Sequence, residues 1–223
     1  LYKVKCLNNI IIKKCVMGQI YSYVLRYDDG VAPNPYGGVC TLAICKPVIR
    51  KKAQVGDWVI GTGSFELGLG DTLVYAMKIT EVLSFKEYDI LCRSKLHIKI
   101  PQINSDDIIE RRGDCIYDYS KGDSPIQRAG AHNMCDSERD LSGINVLLST
   151  HFYYFGDSAI FLPTKFLNFR KKGRGHRIIK DQNLVDEFEE WINSYELNRL
   201  FGEPQKKVHS CGSCSHNTEI KLE

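Results

Sequence analysis

Apolar and polar positions begin to alternate at Gln19 and continue to Arg26 (QIYSYVLR), which predicts a first strand. The polar stretch after it, RYDDGVAPNPYGG (26–38), is punctuated by proline and glycine and reads as a structured loop. The apolar run VCTLAIC (39–45) fits a buried strand or the first turns of a helix, because periodicity does not arbitrate over so short a run. Pro47 suits a helix start. In VGDWVIGTGS (55–64), Gly56 and Asp57 predict a tight turn, Trp58 to Ile60 a strand, and Gly61 to Ser64 a loop of small residues. Leu73 to Val82 alternates as a further strand, and Ser84 with Glu87 makes a capping-box pattern for a short helix to about Cys92.

The second half changes character. GDCIYDYS (113–120) is rich in β-formers and, if extended, sets Asp114 and Asp118 on one side; Lys121 to Arg139 reads as a long polar connection. NVLLS (145–149) is followed at once by HFYYFG (151–156). As a strand, that segment sends His151, Tyr153 and Phe155 to one face and Phe152 and Tyr154 to the other. The face with His151 and Tyr153 is expected to look into a pocket and the other to be core. A short helix is expected over Pro163 to Phe169. From Asp181 to Phe201, Leu184, Val185, Phe188, Trp191, Ile192 and Tyr195 recur at helical spacing, with Asp181 as N-cap and Gly202 as stop.

Composition narrows the class. The chain has 223 residues, 43% hydrophobic and 26% charged, as in a soluble globular protein, and no apolar run reaches membrane-spanning length. The net charge of +3 is small, yet the basic residues cluster, which permits a phosphate backbone as partner. Cys6, Cys15, Cys40, Cys45, Cys92, Cys115 and Cys135 stand singly and read as buried thiols of a reducing compartment, so the protein is expected in the cytoplasm. The opening segment lacks a secretory pattern, and Met17 stands just before the first strand. Residues 1–18 are therefore read as an extension, 19–202 as one domain and 203–223 as a flexible tail.

Several segments carry candidate chemistry. Arg26, Asp28, Asp29 and Asn34 share the first loop, where polar ligand contacts or a self-satisfied Asx turn are equally at home. Thr62, Gly63 and Ser64 offer small residues and backbone N–H groups to a ligand, without the lysine and following helix of a nucleotide P-loop. Lys46, Arg50, Lys51 and Lys52 form a first basic cluster. RKKGRGHR gathers Arg170, Lys171, Lys172, Arg174, His176 and Arg177 around two glycines, the strongest candidate for phosphate contact. If the Lys121 to Arg139 loop folds over HFYYFG, His132, Asp140 and His151 converge as acid, base and orienter. In the tail, Cys211 and Cys214 with His209 and His216 offer zinc ligands; a redox pair or a metal-free tail are the other readings.

The succession YSYVLRYDDG, APNP, GVCTLAICKPVIR, VGDWVIGTGS, LVYAMKIT, GDCIYDYS, HN, DLSGINVLLS and HFYYFG, from about Ile20 to Trp191, resembles the bacterial and phage family called nucleotide modification associated domain, second type. That resemblance implies a compact α+β domain working with modified nucleotides or nucleic acid. The segment around GDWV is also similar to the PUA-like superfamily of EVE, YTH and ASCH domains, which implies a partly closed β-barrel or sheet with flanking helices and a base held in an aromatic pocket. The expected function is recognition or processing of a modified base, nucleotide or nucleic acid in a DNA-modification or phage-conflict setting. Rings of HFYYFG with Trp58 would stack on the base, GTGS would read its edge and Arg170 to Arg177 would hold phosphate. Two alternatives stand beside it. One is an acid/base enzyme using Asp28 or Asp29 with His132 or His151 on a base or its glycosidic bond, and the other is a non-catalytic subunit of a modification complex.

Overall fold

The computed structural model describes residues 18–205. Along the chain run β1 (Ile20–Val24), β2 (Cys40–Leu42), α1 (Pro47–Lys52), β3 (Trp58–Thr62), β4 (Thr72–Lys78), β5 (Glu81–Ser84) and α2 (Phe85–Ser94). There follow α3 (Ile108–Arg111), β6 (Tyr117–Asp118), β7 (Ile126–Gln127), α4 (Ser137–Leu141), β8 (Asn145–Ser149) and β9 (His151–Tyr154). The described chain closes with β10 (Ile160–Phe161), β11 (His176–Ile179), α5 (Gln182–Ile192) and β12 (Arg199–Leu200). With 28% of the described residues in helices and 25% in mixed sheets, the chain has the α+β class expected from the sequence, and among the described residues the strands form no closed barrel.

The larger sheet has the order β11-β1-β3-β4-β9-β12, with β10 paired to β4; a smaller sheet runs β2-β8-β5, and β6 pairs β7. β1 and β3 are parallel, Ile20 opposite Trp58, so the chain must cross over between them, and β2 and α1 lie on that crossover. Alternating side chains then fill three cores. Tyr21, Tyr23, Val59, Met77, Phe152 and Tyr154 leave one face of the large sheet to meet Cys40 and Leu42 of β2, Leu147 of β8 and Ile49 of α1. From the opposite face, Ile20, Trp58, Ile60, Tyr153 and Phe155 meet Phe166 and Phe169 and the α5 residues Val185, Phe188 and Ile192. The far side of the small sheet sends Val146 and Leu148 against Phe85, Tyr88, Cys115 and Ile116. Residues 146–148 therefore serve two cores in strict alternation, which is what a strand between two layers requires.

Local signals in the sequence match several elements. Pro47 opens α1, Asp181 caps α5 through the Asn183 and Leu184 amides, and Ser84 and Glu87 form the reciprocal capping box of α2. The ambiguous run 39–45 is strand only at Cys40–Leu42, then turns. Other expectations are corrected. The short helix expected over Pro163 to Phe169 does form, as a 3-10 helix over Thr164–Phe169, but α5 ends at Ile192 with Asn193 as its C-cap instead of running to Gly202, and the basic run passes from loop into strand at His176. Asp114 and Asp118 do not share a face: Asp114 is buried under Thr41 and Tyr88, whereas Asp118 reaches Arg128. Cys40, Cys45, Cys92 and Cys115 are free thiols, but Cys135 is disulfide-bonded, which departs from the expectation of single thiols throughout. Among the described residues no helix is long and apolar enough to cross a membrane.

Candidate functional site

The pairing of β1 with β11 on one side and β3 on the other brings two distant polar segments together. Tyr23 lies opposite both His176 and Gly61, so the ends of β1 and β3 and the start of β11 bound a common space. That space is a cleft of about 1070 Å³ lined by Arg26, Thr62, Gly63 and Ser64 on one side and by Arg170, Lys171, Lys172, His176 and Arg177 on the other. Arg174 sits exposed in the loop between Gly173 and Gly175 and is not part of the lining. The charge is partly balanced. Arg26 faces Glu66 at 3.6 Å, and Arg170 pairs with Asp71 and stacks over Phe65. The Arg26–Glu66 pair is exposed on both sides, so an anion displaces it at little cost. His176 titrates below its ordinary value because of burial and the positive charges of Lys52 and Lys46.

A second cluster is built on the turn after β2, which carries Cys45. Cys45 and Lys46 both have positive φ, 59° and 42°, a backbone conformation that L-residues adopt at a cost. Arg50 of α1, fully buried, holds the turn in place. Its guanidinium donates to the carbonyl oxygens of Cys45 at 2.7 Å, Asn145 at 2.7 Å and Asp140 at 2.5 Å, tying α1 to the end of α4 and the start of β8. The Cys45 Sγ lies 3.3 Å from Nε2 of His132, and Nδ1 of His132 lies 2.5 Å from Oδ2 of Asp140. Asp140 also accepts from the Cys45 amide at 3.0 Å and from the Tyr117 hydroxyl at 3.2 Å. Burial would lower the His132 pKa, but hydrogen bonds to Asp140 and Cys45 outweigh it and push it up to about 10. At neutral pH both ring nitrogens then carry a proton, Nδ1 toward the Asp140 carboxylate and Nε2 toward the Cys45 sulfur. Lys46, one residue on, places its ammonium 4.2 Å over the Tyr23 ring. Lys46 stands within electrostatic reach of Arg26 and His176, two residues of the cleft lining, although neither Cys45 nor His132 is itself part of that lining.

The family profile described as Nucleotide modification associated domain 2 matches residues 17–211, most of the chain. The chain belongs to this family. No curated protein and no solved structure matches it.

Within this nucleotide modification associated domain, the other residues singled out in the sequence lie elsewhere. Asn34 is fully buried, its side chain and carbonyl oxygens taking the Lys99 ammonium at 2.7 and 2.9 Å and its amide donating to Arg112. Asp29 accepts from the Val31 amide, the Asx-turn arrangement, and its pKa is raised chiefly by burial while the charges of Arg112 and His132 oppose the rise. Asp28 is buried under the Tyr154 hydroxyl at 2.6 Å, and burial raises its pKa to about 6. The His132 to Asp140 pairing forms as the loop argument required, but His151 does not join it: its Nε2 meets Asn193, and its ring packs edge-on to Trp58. The expected stacking floor is corrected too. Trp58, Phe152, Tyr153, Tyr154 and Phe155 are all at most 2% exposed, split between two cores, and none lines the cleft. Gly63 does not offer a free N–H either, since it donates to Thr72; a Cβ there would lie 2.0 Å from the Leu69 carbonyl oxygen, so internal packing demands the glycine. The candidate zinc ligands His209, Cys211, Cys214 and His216 lie outside the described residues.

The residue the sequence reading missed is Cys45. One signal was present, a single cysteine with a histidine and an aspartate elsewhere in the chain, but nothing in the sequence distinguishes Cys45 from the other cysteines.

Proposed function

We propose that this chain binds a phosphate-bearing nucleotide or nucleic-acid strand in the cleft between Arg26 and the Arg170–Arg177 segment, as part of recognising or processing a modified base. One observation carries the reading: the two polar segments, far apart in sequence, line a single cleft with a surplus of cations. Its volume of about 1070 Å³ accommodates a nucleotide, since small-ligand sites run to roughly 300–1000 Å³. Lysine and arginine side chains on a glycine-containing loop neutralise phosphate and fix register without reading sequence. The family's association with nucleotide modification supports the same ligand class. A DNA-modification or phage-conflict setting is the biological context this reading favours.

The test is titration of labelled single-stranded DNA by fluorescence anisotropy, and of deoxynucleoside mono- and triphosphates by calorimetry, at stepped salt. Binding is expected to weaken steeply with salt and to fall at least about 10-fold when Lys171→Glu and Arg177→Glu are combined. Binding that ignores both salt and the double variant removes the cleft from the function.

A further inference from the structure

We propose that Cys45 and His132, held in place by Asp140, form a thiol nucleophile centre that removes an acyl group, an ester or an amide, from the ligand of the basic cleft. The phosphate-bearing nature of that ligand rests on the reading above; the thiol chemistry does not.

Three observations carry the centre. The chain of contacts is continuous and correctly ordered: thiol to Nε2 at 3.3 Å, Nδ1 to carboxylate at 2.5 Å. This is the arrangement of nucleophile, base and orienting group that activates a cysteine on unrelated folds. Cys45 is also the half-buried thiol of the described set, whereas Cys40, Cys92 and Cys115 are buried. A thiol that only filled space would be expected among the buried ones. Finally, the turn is built at a cost. Two successive non-glycine residues hold positive φ, and a fully buried arginine spends its donors keeping them there. Strain maintained by a dedicated clamp points to a side chain whose direction matters.

The reaction balances with water as the only co-reactant. His132, an imidazolium at neutral pH because of its raised pKa, already holds the proton of the Cys45 thiol on Nε2; Sγ attacks the acyl carbon as the thiolate, forming the S–C bond and a tetrahedral oxyanion. Collapse breaks the C–N or C–O bond, and the proton on Nε2 goes to the departing amine or alcohol, leaving a thioester on Cys45. Water, deprotonated by the same Nε2, now neutral, then attacks the thioester; the S–C bond breaks, a carboxylic acid leaves and the thiolate–imidazolium pair is restored. Asp140 is a positioning residue: it keeps the proton on Nδ1 and stabilises the imidazolium without touching substrate.

The experiment uses the full chain, reduced, with p-nitrophenyl acetate as acyl donor and iodoacetamide as alkylating agent, each read by peptide mass spectrometry. p-Nitrophenyl acetate carries no phosphate, so its result is independent of the cleft. Acetylation and alkylation are expected at Cys45 ahead of every other cysteine, with a burst of p-nitrophenol, and both rates are expected to fall about 10²-fold in His132→Gln. In Asp140→Asn the rate drops, and the limb of the pH–rate profile set by His132 moves to lower pH because the carboxylate that raises its pKa is gone. Circular dichroism melts identify any variant that fails to fold. For such a variant the wild-type contrast decides: Cys45 modified no faster than the thiol of glutathione overturns the proposal. So does a His132→Gln protein that is folded and equally reactive. Alkylation at Cys45 without any acetyl intermediate overturns the acyl-transfer chemistry and leaves a redox thiol in its place.

Discussion

Arg50 donates from Nε to the carbonyl oxygen of Cys45 at 2.7 Å from a fully buried position, so one side chain fixes both the thiol turn and the junction of three elements. Replacing it removes the side-chain donor of three buried or half-buried carbonyl oxygens, of which that of Asp140 keeps the Gly143 amide. Arg50→Met is expected to destabilise the fold by about 1.5–3 kcal/mol in urea denaturation, the range for losing hydrogen bonds made by a charged group. Arg50→Lys should recover little, since an ammonium cannot span three carbonyls in the guanidinium plane. A loss below about 1 kcal/mol in Arg50→Met would show that the clamp is dispensable.

Gly143 makes that clamp possible, because a Cβ at this position would lie 2.5 Å from the guanidinium carbon and Nη1 of Arg50. Gly143→Ala is expected to cost about 1–3 kcal/mol from overpacking. It should also slow iodoacetamide labelling of Cys45, because the displaced arginine releases the turn. Wild-type stability and labelling in Gly143→Ala would mean the loop relaxes freely.

Asp28 gives a pH-dependent test with a definite sign. Its folded pKa of about 6 stands above the ordinary 3.8, with burial as the leading cause, so the fold favours the neutral acid. Its contribution to stability is complete below the unfolded value and disappears as pH rises through about 6. Asp28→Asn imitates the neutral acid and keeps an oxygen for the Tyr154 hydroxyl. The variant is expected to be more stable than wild type at pH 8, by on the order of 2 kcal/mol, and level with it near pH 4. Thermal melts at the two pH values decide, and equal differences at both would contradict the assignment.

The aromatic strand is expected to matter for stability and not for ligand. Tyr153 donates its hydroxyl to Asn193 at 2.7 Å and is 2% exposed. Tyr153→Phe should cost about 1 kcal/mol and leave nucleotide or oligonucleotide affinity unchanged in the anisotropy titration. Loss of affinity without loss of stability would restore the stacking role that the sequence suggested.

The contrast between what was legible and what was not follows from distance along the chain. Caps and helix starts at Pro47, Ser84 and Asp181 are local chemistry, and local chemistry is written in neighbouring residues. The GTGS loop and the RKKGRGHR run were each visible as segments, but their meeting depends on the register of β1 against β11 and β3, which no short window contains. Cys45 and His132 are separated by 87 positions, and the thiol becomes distinctive only when α4 and the turn are clamped together. HFYYFG misled for a related reason. Its ring density suggested a binding floor, whereas β9 pairs with strands on both sides and packs a core on each face, which calls for large apolar side chains throughout.

The register of β1 also orders events in time. Ile20 of β1 pairs with Ile179 of β11, far apart along the chain, and the basic wall of the cleft runs from the loop before β11 into its first two residues. During synthesis β1 emerges first and must wait for β11 with one row of amides and carbonyls unpaired, an open edge that invites association with other chains. Contacts this remote in sequence make for slow closure. A chain interrupted before Arg170 would therefore lose the basic wall and keep a sticky strand, so the cleft matures only after that late segment has been made.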